Sequence, residues 1–137
     1  MDTLTLELVK NNLGKEADND TLLSFLLSVF EYAPNVFFVK DKEGRYILVN
    51  KEFERFVHLP LSEVIGKTDF DIMNELDAKE CVASDEPALR EPDKVHISFE
   101  VERSSQGDIA SYLSVNKQVK TTVIGEMLIG IVTRVAA

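Results

Sequence analysis

Apolar residues recur at helical or alternating intervals along this chain, and each interval predicts a different element. In residues 21–33, TLLSFLLSVFEYA, they recur at helical intervals, and Pro34 ends the run. Residues 36–40 and 45–49 are short β-rich runs. The turn Asp41-Lys42-Glu43-Gly44 joins them, with glycine where a positive φ is easiest. We therefore expect a helix followed by a β-hairpin.

The last third of the chain is predicted to be β-structure. In residues 95–101 the apolar residues, among them Phe99, alternate with polar ones as in a half-buried strand. Residues 112–119 alternate again, and residues 127–135 are apolar on both faces, which favours a central strand. Residues 50–91 predict several short helices. The expected fold class is α+β, a five-stranded antiparallel sheet with short helices on one face.

Cap residues mark where the short helices begin. Asn50 precedes the first helix and can accept a bond from its exposed backbone N–H groups. Thr68 with Asp71, and Asp77 with Glu80, have the spacing of a capping box. The second pair is expected to open the longest helix.

The N-terminal part predicts a helical extension, residues 1–20, before a single domain, residues 21–137. Residues 1–14 fit both an alternating and a helical pattern, and a short helix is the preferred interpretation. The helix in residues 21–33 is apolar on more than one side, which predicts a neighbour such as a second copy of the chain. The expected homodimer surface consists of Leu6, Val9, Leu13, Leu23 and Leu27.

The charge balance excludes two classes of partner. The 15 Lys and Arg against 24 Asp and Glu give a net charge of -9. Nucleic-acid binding depends on clustered cations, and an anionic membrane would repel this chain. The sequence shows no secretory signal and no apolar run of about 20 residues. We therefore expect no nucleic acid, no membrane contact by this segment and a cytoplasmic location.

Reactive side chains are few. Cys81 is the only cysteine, and its apolar helical neighbours favour a buried structural thiol. His58 and His96 are the only histidines, too few for a zinc site. No glycine-rich phosphate loop is present. The sequence predicts no metal and no cofactor. A small enzyme is the least favoured function because no base is placed beside a nucleophile.

The ordered set of motifs resembles the PAS domain, the sensor module of bacterial signalling proteins. The similarity covers about residues 22–137 and includes the run Ile65-Gly66-Lys67-Thr68-Asp69-Phe70-Asp71. His58 departs from it, because many members have glycine there. Haem and flavin are not expected, since residues 77–91 lack the histidine of haem-binding relatives and residues 68–72 lack the cysteine of flavin-binding ones. Further matching positions are Asp41, Gly44, Asn50, Phe53, Ala78, Asp85, Lys117, Gly125 and Gly130.

The resemblance implies a cup between helices and sheet that can hold a ligand. Lys117 shares a strand face with apolar residues, and Asp85 lies on an apolar helix face. Either these two side chains pair or reach solvent, or they contact a polar ligand in the cup. The candidate ligand-binding residues are Phe38, Leu48, Phe53, Phe56, Phe70, Asp85 and Lys117.

Two functions stay open at this point. The first is a sensory PAS domain that binds a small ligand or partner and relays its state through flanking helices. Its parent would be a bacterial signalling protein, such as a histidine kinase of a two-component system, a cyclic-dinucleotide enzyme or a transcriptional regulator. The second is a ligand-free dimerisation or protein-interaction module. In both cases any catalytic output is expected in a domain outside this chain.

Overall fold

The computed structural model describes residues 7–8, 11–12, 18–103, 109–121 and 125–135. The chain divides into two compact units, Met1–Tyr32 and Ala33–Ala137. No helix in the described part of the chain combines the length and hydropathy needed to cross a membrane.

The first unit contains helix α1 (Asn19–Tyr32). The carboxylate of Asp18 accepts the Thr21 N–H at 2.8 Å and so caps its first turn. Leu23 and Leu27, two residues of the expected dimer surface, are both exposed. The other three, Leu6, Val9 and Leu13, lie outside the described residues.

The second unit is built on a five-stranded sheet in the order β2-β1-β5-β4-β3. All four strand pairs are antiparallel, which confirms the predicted α+β fold class. The first and last strands pair in the middle of the sheet, as expected for a central last strand. The strands are β1 (Val36–Asp41), β2 (Tyr46–Val49), β3 (His96–Arg103), β4 (Ile109–Thr121) and β5 (Gly125–Val135).

Four helices connect β2 to β3, and two of them begin at predicted caps. They are α2 (Lys51–Val57), α3 (Leu61–Val64), α4 (Asp69–Ile72) and α5 (Glu75–Arg90). The prediction that Asp77 with Glu80 caps the long helix is wrong. Asn74 is the cap, accepting the Asp77 N–H at 2.9 Å, because a strong N-cap residue already stands three positions earlier.

The caps predicted at Asn50 and at Thr68 with Asp71 are confirmed. Asn50 Oδ1 accepts the Phe53 N–H at 3.1 Å at the start of α2. Thr68 and Asp71 form a reciprocal capping box around α4. At the end of α2, His58 adopts a left-handed conformation with φ 58°. Glycine fits that conformation best, which explains why glycine is common at this position in the family that the sequence resembles.

The two faces of β3 lie opposite to the predicted arrangement. Ile97 and Phe99 are 67% and 62% exposed, whereas Ser98 and Glu100 are half-buried. Ser98 Oγ lies 2.7 Å from Ser84 Oγ on α5, so the polar face meets the helix. A two-residue period shows that the faces differ but does not say which one is covered. The interpretation of the apolar face of β3 as its buried face is therefore wrong.

The core lies between the helices and the part of the sheet formed by β2, β1 and β5. Its buried apolar residues are Phe38, Tyr46, Val49, Phe53, Val64, Ala88 and Leu128. The rings of Tyr46 and Phe53 meet edge to face with centroids 4.9 Å apart. The ring of Phe38, on the inner face of β1, contacts both of these rings and forms one wall of the candidate site.

Candidate functional site

A buried lysine stands at the centre of the site. The alternation of β1 places Lys40 on the same inner face as Phe38, and only 2% of Lys40 is exposed. Its Nζ lies 2.6 Å from Oδ2 of Asp69 on α4 and 2.6 Å from Oδ2 of Asp85 on α5. A buried charge without partners is strongly destabilising, so the two carboxylates make this position tolerable.

Tyr46 and the neighbouring rings complete the polar centre. The Tyr46 hydroxyl donates a hydrogen bond to Oδ1 of Asp69. The ring centroids of Phe38 and Tyr46 each lie 5.0 Å from Lys40 Nζ, which is within cation–π range. We call the side chains of Lys40, Tyr46, Asp69 and Asp85 the Lys40 cluster. They come from β1, β2, α4 and α5, so the cluster connects strands β1 and β2 to helices α4 and α5.

Loop pairing beside β2 sets the position of Asp69. The Tyr46 N–H donates to Lys67 O at 2.9 Å, and the Gly66 N–H donates to Tyr46 O at 2.9 Å. Gly66 has φ 81°, the left-handed region that favours glycine. This turn brings the start of α4 against β2 and places the Asp69 carboxylate under the Tyr46 hydroxyl.

Burial dominates the electrostatics of the cluster. It raises the pKa of Asp85 to about 6, although the ammonium of Lys40 acts in the opposite direction. Burial alone would lower the pKa of Lys40, but the carboxylates of Asp85 and Asp69 outweigh it and the net shift is upward. Burial also raises the pKa of the Tyr46 phenol, which therefore acts as a neutral donor at ordinary pH.

The cluster borders an inner cavity of about 30 Å³ beneath α5. That volume holds about one water molecule. Lys40, Asp85, Ser84, Glu100 and Ser114 supply its polar lining. Its apolar lining comes from Val36, Phe38, Tyr46, Phe53, Phe56, Met73, Cys81 and Val132. The cup is therefore narrow, and its polar groups come from α5 and from strands β1, β3 and β4.

A second polar group links α5 to the sheet beside this cavity. Asn116 Nδ2 donates to the Ser84 backbone O at 3.0 Å, and Ser84 Oγ lies 2.7 Å from Ser98 Oγ. Burial raises the pKa of Glu100, while a hydrogen bond from Ser84 acts against that shift. Ser84, Ser98, Glu100 and Glu80 also line a surface groove of about 340 Å³ between α5 and β3.

The sequence comparison decides the family. A family model described as the PAS fold matches residues 30–129, most of the chain. The chain belongs to the PAS family. No protein with a curated description matches the sequence.

Solved structures similar to this PAS domain share its fold at low sequence identity. The PAS domain of BvgS from Bordetella pertussis has a TM-score of 0.62 and 21% identity, covering 87% of this chain and 89% of that one. VqmA of Vibrio cholerae has a TM-score of 0.70 and 14% identity over 82% of this chain, which spans about half of that protein, 51%. A PAS domain from a two-component sensor histidine kinase has a TM-score of 0.59 and 10% identity, covering 86% of this chain and 100% of that one.

The structure brings four of the seven candidate ligand-binding residues to the inner cavity of the PAS domain. These are Phe38, Phe53, Phe56 and Asp85. Leu48 is half-buried and pairs with Val39 across the hairpin rather than lining the cavity.

Phe70 lies away from the cup. Its side chain is 52% exposed and lines an outer groove of about 270 Å³ with Val82 and Leu89 of α5. The exposed position follows from its place at the first turn of α4, where the preceding residue, Asp69, takes the inward direction.

Lys117 does not pair with Asp85, which removes one of the alternatives left open for these two side chains. Lys117 Nζ instead donates to Pro92 O at 2.5 Å and to Gln118 O at 2.7 Å. On β4 the neighbouring positions, Asn116 and Gln118, are the buried ones. The apolar face of β4 points outward like that of β3, and Lys117 goes with it.

Sequence reasoning did not propose Lys40, the central residue of the candidate site. One signal for it was present, because Lys40 follows Phe38 by two positions in a β-rich run and shares its face. Its acids lie 29 and 45 positions further along the chain, so no local pattern connects them to it.

Cys81 has the chemistry of a structural thiol. Burial raises the pKa of this thiol, and the negative charge of Asp69 adds to the effect. Its Sγ lies 3.7 Å from Met73 Sδ. A thiol held protonated at neutral pH is a poor nucleophile. Among the described residues no three His, Cys, Asp or Glu side chains are grouped as metal ligands. The carboxyls and hydroxyls of the site are groups that can exchange protons and form hydrogen bonds.

Proposed function

We propose that this PAS domain is the sensory module of a bacterial signalling protein, acting in its cytoplasmic part. It takes its input in the inner cup and relays it through the flanking helices to an output domain or a partner protein. The observation that carries this proposal is the buried charge and polar lining beneath α5. A purely structural core gains little from buried charge, because apolar residues of similar volume are often as stable.

The similar structures support a role in signalling. One comes from a two-component sensor histidine kinase, and VqmA is described as a LuxR-type receptor. Any catalytic activity in the present case is assigned to another domain of the parent protein. The cup itself supplies a carboxylate cluster and hydroxyl groups, which suit binding.

The ligand we propose is small and polar, and it reaches the cup between α5 and β3. Ser84 and Glu100 line both the inner cavity and the surface groove, so their side chains separate the two spaces. A ligand with hydroxyl or amine donors in the groove would meet the Glu100 carboxylate and the hydroxyls of Ser84 and Ser98. Displacing those side chains would join the two spaces into one site.

The route to the flanking helix follows the chain. Only Ala33, Pro34 and Asn35 separate α1 from β1, which carries Lys40. A change at the cluster therefore acts on the strand that continues directly into α1. A ligand shifts α1 only if it binds one of two conformational states of the domain more tightly than the other.

Thermal denaturation in the presence of small polar metabolites tests the ligand. At 100 times its Kd a true ligand raises the free energy of unfolding by about 2.7 kcal/mol, which is several degrees in Tm. We expect Glu100→Gln to reduce that gain and Glu63→Gln, an exposed position on α3, to leave it unchanged. A library of hydroxy acids, amino acids and amines that gives no shift at all would reject ligand binding.

A ligand-free dimerisation module is the second candidate function. It is favoured by the small cavity, about 30 Å³, and by the absence of unpaired buried side-chain N or O atoms in the described residues. The proposed partner is a second copy of the chain on α1, where Leu23 and Leu27 are 55% and 42% exposed. Leucines exposed on a helix in this way favour self-association.

Sedimentation equilibrium tests this surface. We expect a dimer at micromolar concentration, and the double variant Leu23→Glu/Leu27→Glu should raise its Kd at least about 30-fold, the effect of a 2 kcal/mol contact. Leu76→Glu is the matched control, because Leu76 is 76% exposed on α5, in the other unit. A wild-type protein that stays monomeric at 100 times those concentrations would exclude the dimer.

A further inference from the structure

The Lys40 cluster contains one more acid than it has cations. Two carboxylates, Asp69 and Asp85, share the single ammonium of Lys40. The Tyr46 hydroxyl adds a neutral donor and no charge. If both acids are ionised, one negative charge stays uncompensated in a region that is largely shielded from bulk water. Uptake of one proton would neutralise this charge.

Hydrogen bonding decides which acid takes that proton. Asp69 accepts from two donors, Lys40 on Oδ2 and Tyr46 on Oδ1. Within the part of the chain that the structure describes, only Lys40 donates to the Asp85 carboxylate, and it does so on Oδ2. The Asp69 anion is therefore the better stabilised of the two. Asp85 is left as the proton acceptor.

The groups around Asp85 reinforce this assignment. Lys40 faces it from β1 and favours its ionised form, whereas Asp69 on α4 and Glu100 on β3 oppose that form. Tyr46 on β2 and Cys81 on α5 are neutral at ordinary pH because burial raises the pKa of both. Together these effects raise the pKa of the Asp85 carboxyl to about 6, and burial is the largest of them.

Asp85 also has a path to solvent. It lines the inner cavity on one side and, on the other, the outer groove between α4, α5 and the β1–β2 turn. Its side chain retains 11% exposure. Protons can therefore reach the carboxyl from the groove without the domain unfolding, while the inner cavity has room for about one water molecule.

We propose that Asp85 is a proton-binding site and that mild acidification is a stimulus sensed by this PAS domain. The inference rests on the proposed sensory function and names one input for it. One proton from solvent adds to the Asp85 carboxylate, and Lys40 keeps its ion pair with Asp69. The ion pair between Lys40 on β1 and Asp85 on α5 becomes a hydrogen bond from the ammonium to a neutral carboxyl group. Because α5 also carries Ser84, the change reaches the polar side of the cup.

The direct test is a ¹³C NMR titration of the aspartate carboxyls in the folded protein. We expect the Asp85 signal to titrate near pH 6, about two pH units above an ordinary aspartate. Asp85→Asn identifies the signal by its loss. A midpoint below pH 4.5 would overturn the proposal, and this readout needs only the wild-type protein to be folded.

The pH dependence of unfolding gives a second readout. The pKa of Asp85 is higher in the folded than in the unfolded chain, so its stabilising contribution is present below pH 4 and is lost as the pH rises through about 6. The unfolding constant of the wild type relative to Asp85→Asn should therefore increase roughly 30-fold from pH 4.5 to 7.5. Glu86→Gln, exposed beside it on α5, should behave like the wild type. Parallel curves for wild type and Asp85→Asn would count against the site.

Amide hydrogen exchange separates sensing from simple titration. Protection of α5 amides in the wild type should differ between pH 5 and 7.5 after correction for intrinsic exchange rates, and the difference should vanish in Asp85→Asn. An Asp85 that titrates near pH 6 with unchanged α5 protection would reject proton sensing. If Asp85 does not sense protons but a metabolite raises the Tm, the proposed sensory function still stands.

Discussion

Lys40→Met is expected to destabilise the PAS domain by about 3–5 kcal/mol at pH 7, the range found when one partner of a buried ion pair is removed. The variant leaves Asp69 and Asp85 buried without the ammonium that lies 2.6 Å from each. Domains of this size have a free energy of unfolding of about 5–15 kcal/mol, so a large part of it is at stake. Urea denaturation followed by circular dichroism measures the loss.

Two further variants make this result specific to the cluster. Lys42→Met removes a lysine that is exposed in the β1–β2 turn and should change stability by less than about 0.5 kcal/mol. The triple variant Lys40→Met/Asp69→Asn/Asp85→Asn removes all three charges and should recover a good part of the loss. A loss below about 1 kcal/mol for Lys40→Met alone would show that water or bound protons, not Lys40, compensate the acids.

The elements of the fold were predictable because their signals are local. A glycine turn between β-rich runs, the Asn50 cap and the Thr68–Asp71 capping box each specify an element within a few residues. The antiparallel sheet followed from short connections and from the resemblance to the PAS domain. Local rules of this kind do not depend on which elements later pack together.

The site was less predictable because it depends on which strand face the helices cover. The sequence pattern suggests that the apolar faces of β3 and β4 lie inside, which made Lys117 a candidate for the cup. The structure reverses this: Asn116 is 1% exposed, and Ser84 of α5 accepts its hydrogen bond. A polar face can also be buried, provided each of its groups finds a hydrogen-bond partner. Those partners come from distant parts of the chain.

Gly130→Ala is expected to destabilise the domain by about 3 kcal/mol, the upper end of the range for overpacking a core. Gly130 on β5 lies directly opposite Phe38 on β1. A Cβ at Gly130 would lie 2.0 Å from Cζ of the Phe38 ring and 2.4 Å and 2.6 Å from its Cε atoms. The ring has little room to move, because Tyr46 and Phe53 meet it edge to face at 6.0 Å and 6.3 Å. The shift of the urea midpoint at constant m-value measures the loss.

A double-mutant cycle shows whether the Phe38 ring causes this loss. Phe38→Leu removes the atoms that the new methyl group would meet, so Gly130→Ala/Phe38→Leu should be at least about 2 kcal/mol more stable than the sum of the single effects predicts. Thr133→Ala, an exposed position on the same strand, is the matched control and should have little effect. Additive single effects would place the strain elsewhere. The centroid of the Phe38 ring also lies 5.0 Å from Lys40 Nζ. A displaced ring would weaken this cation–π contact, and the overpacking at Gly130 would then also affect the Lys40 cluster.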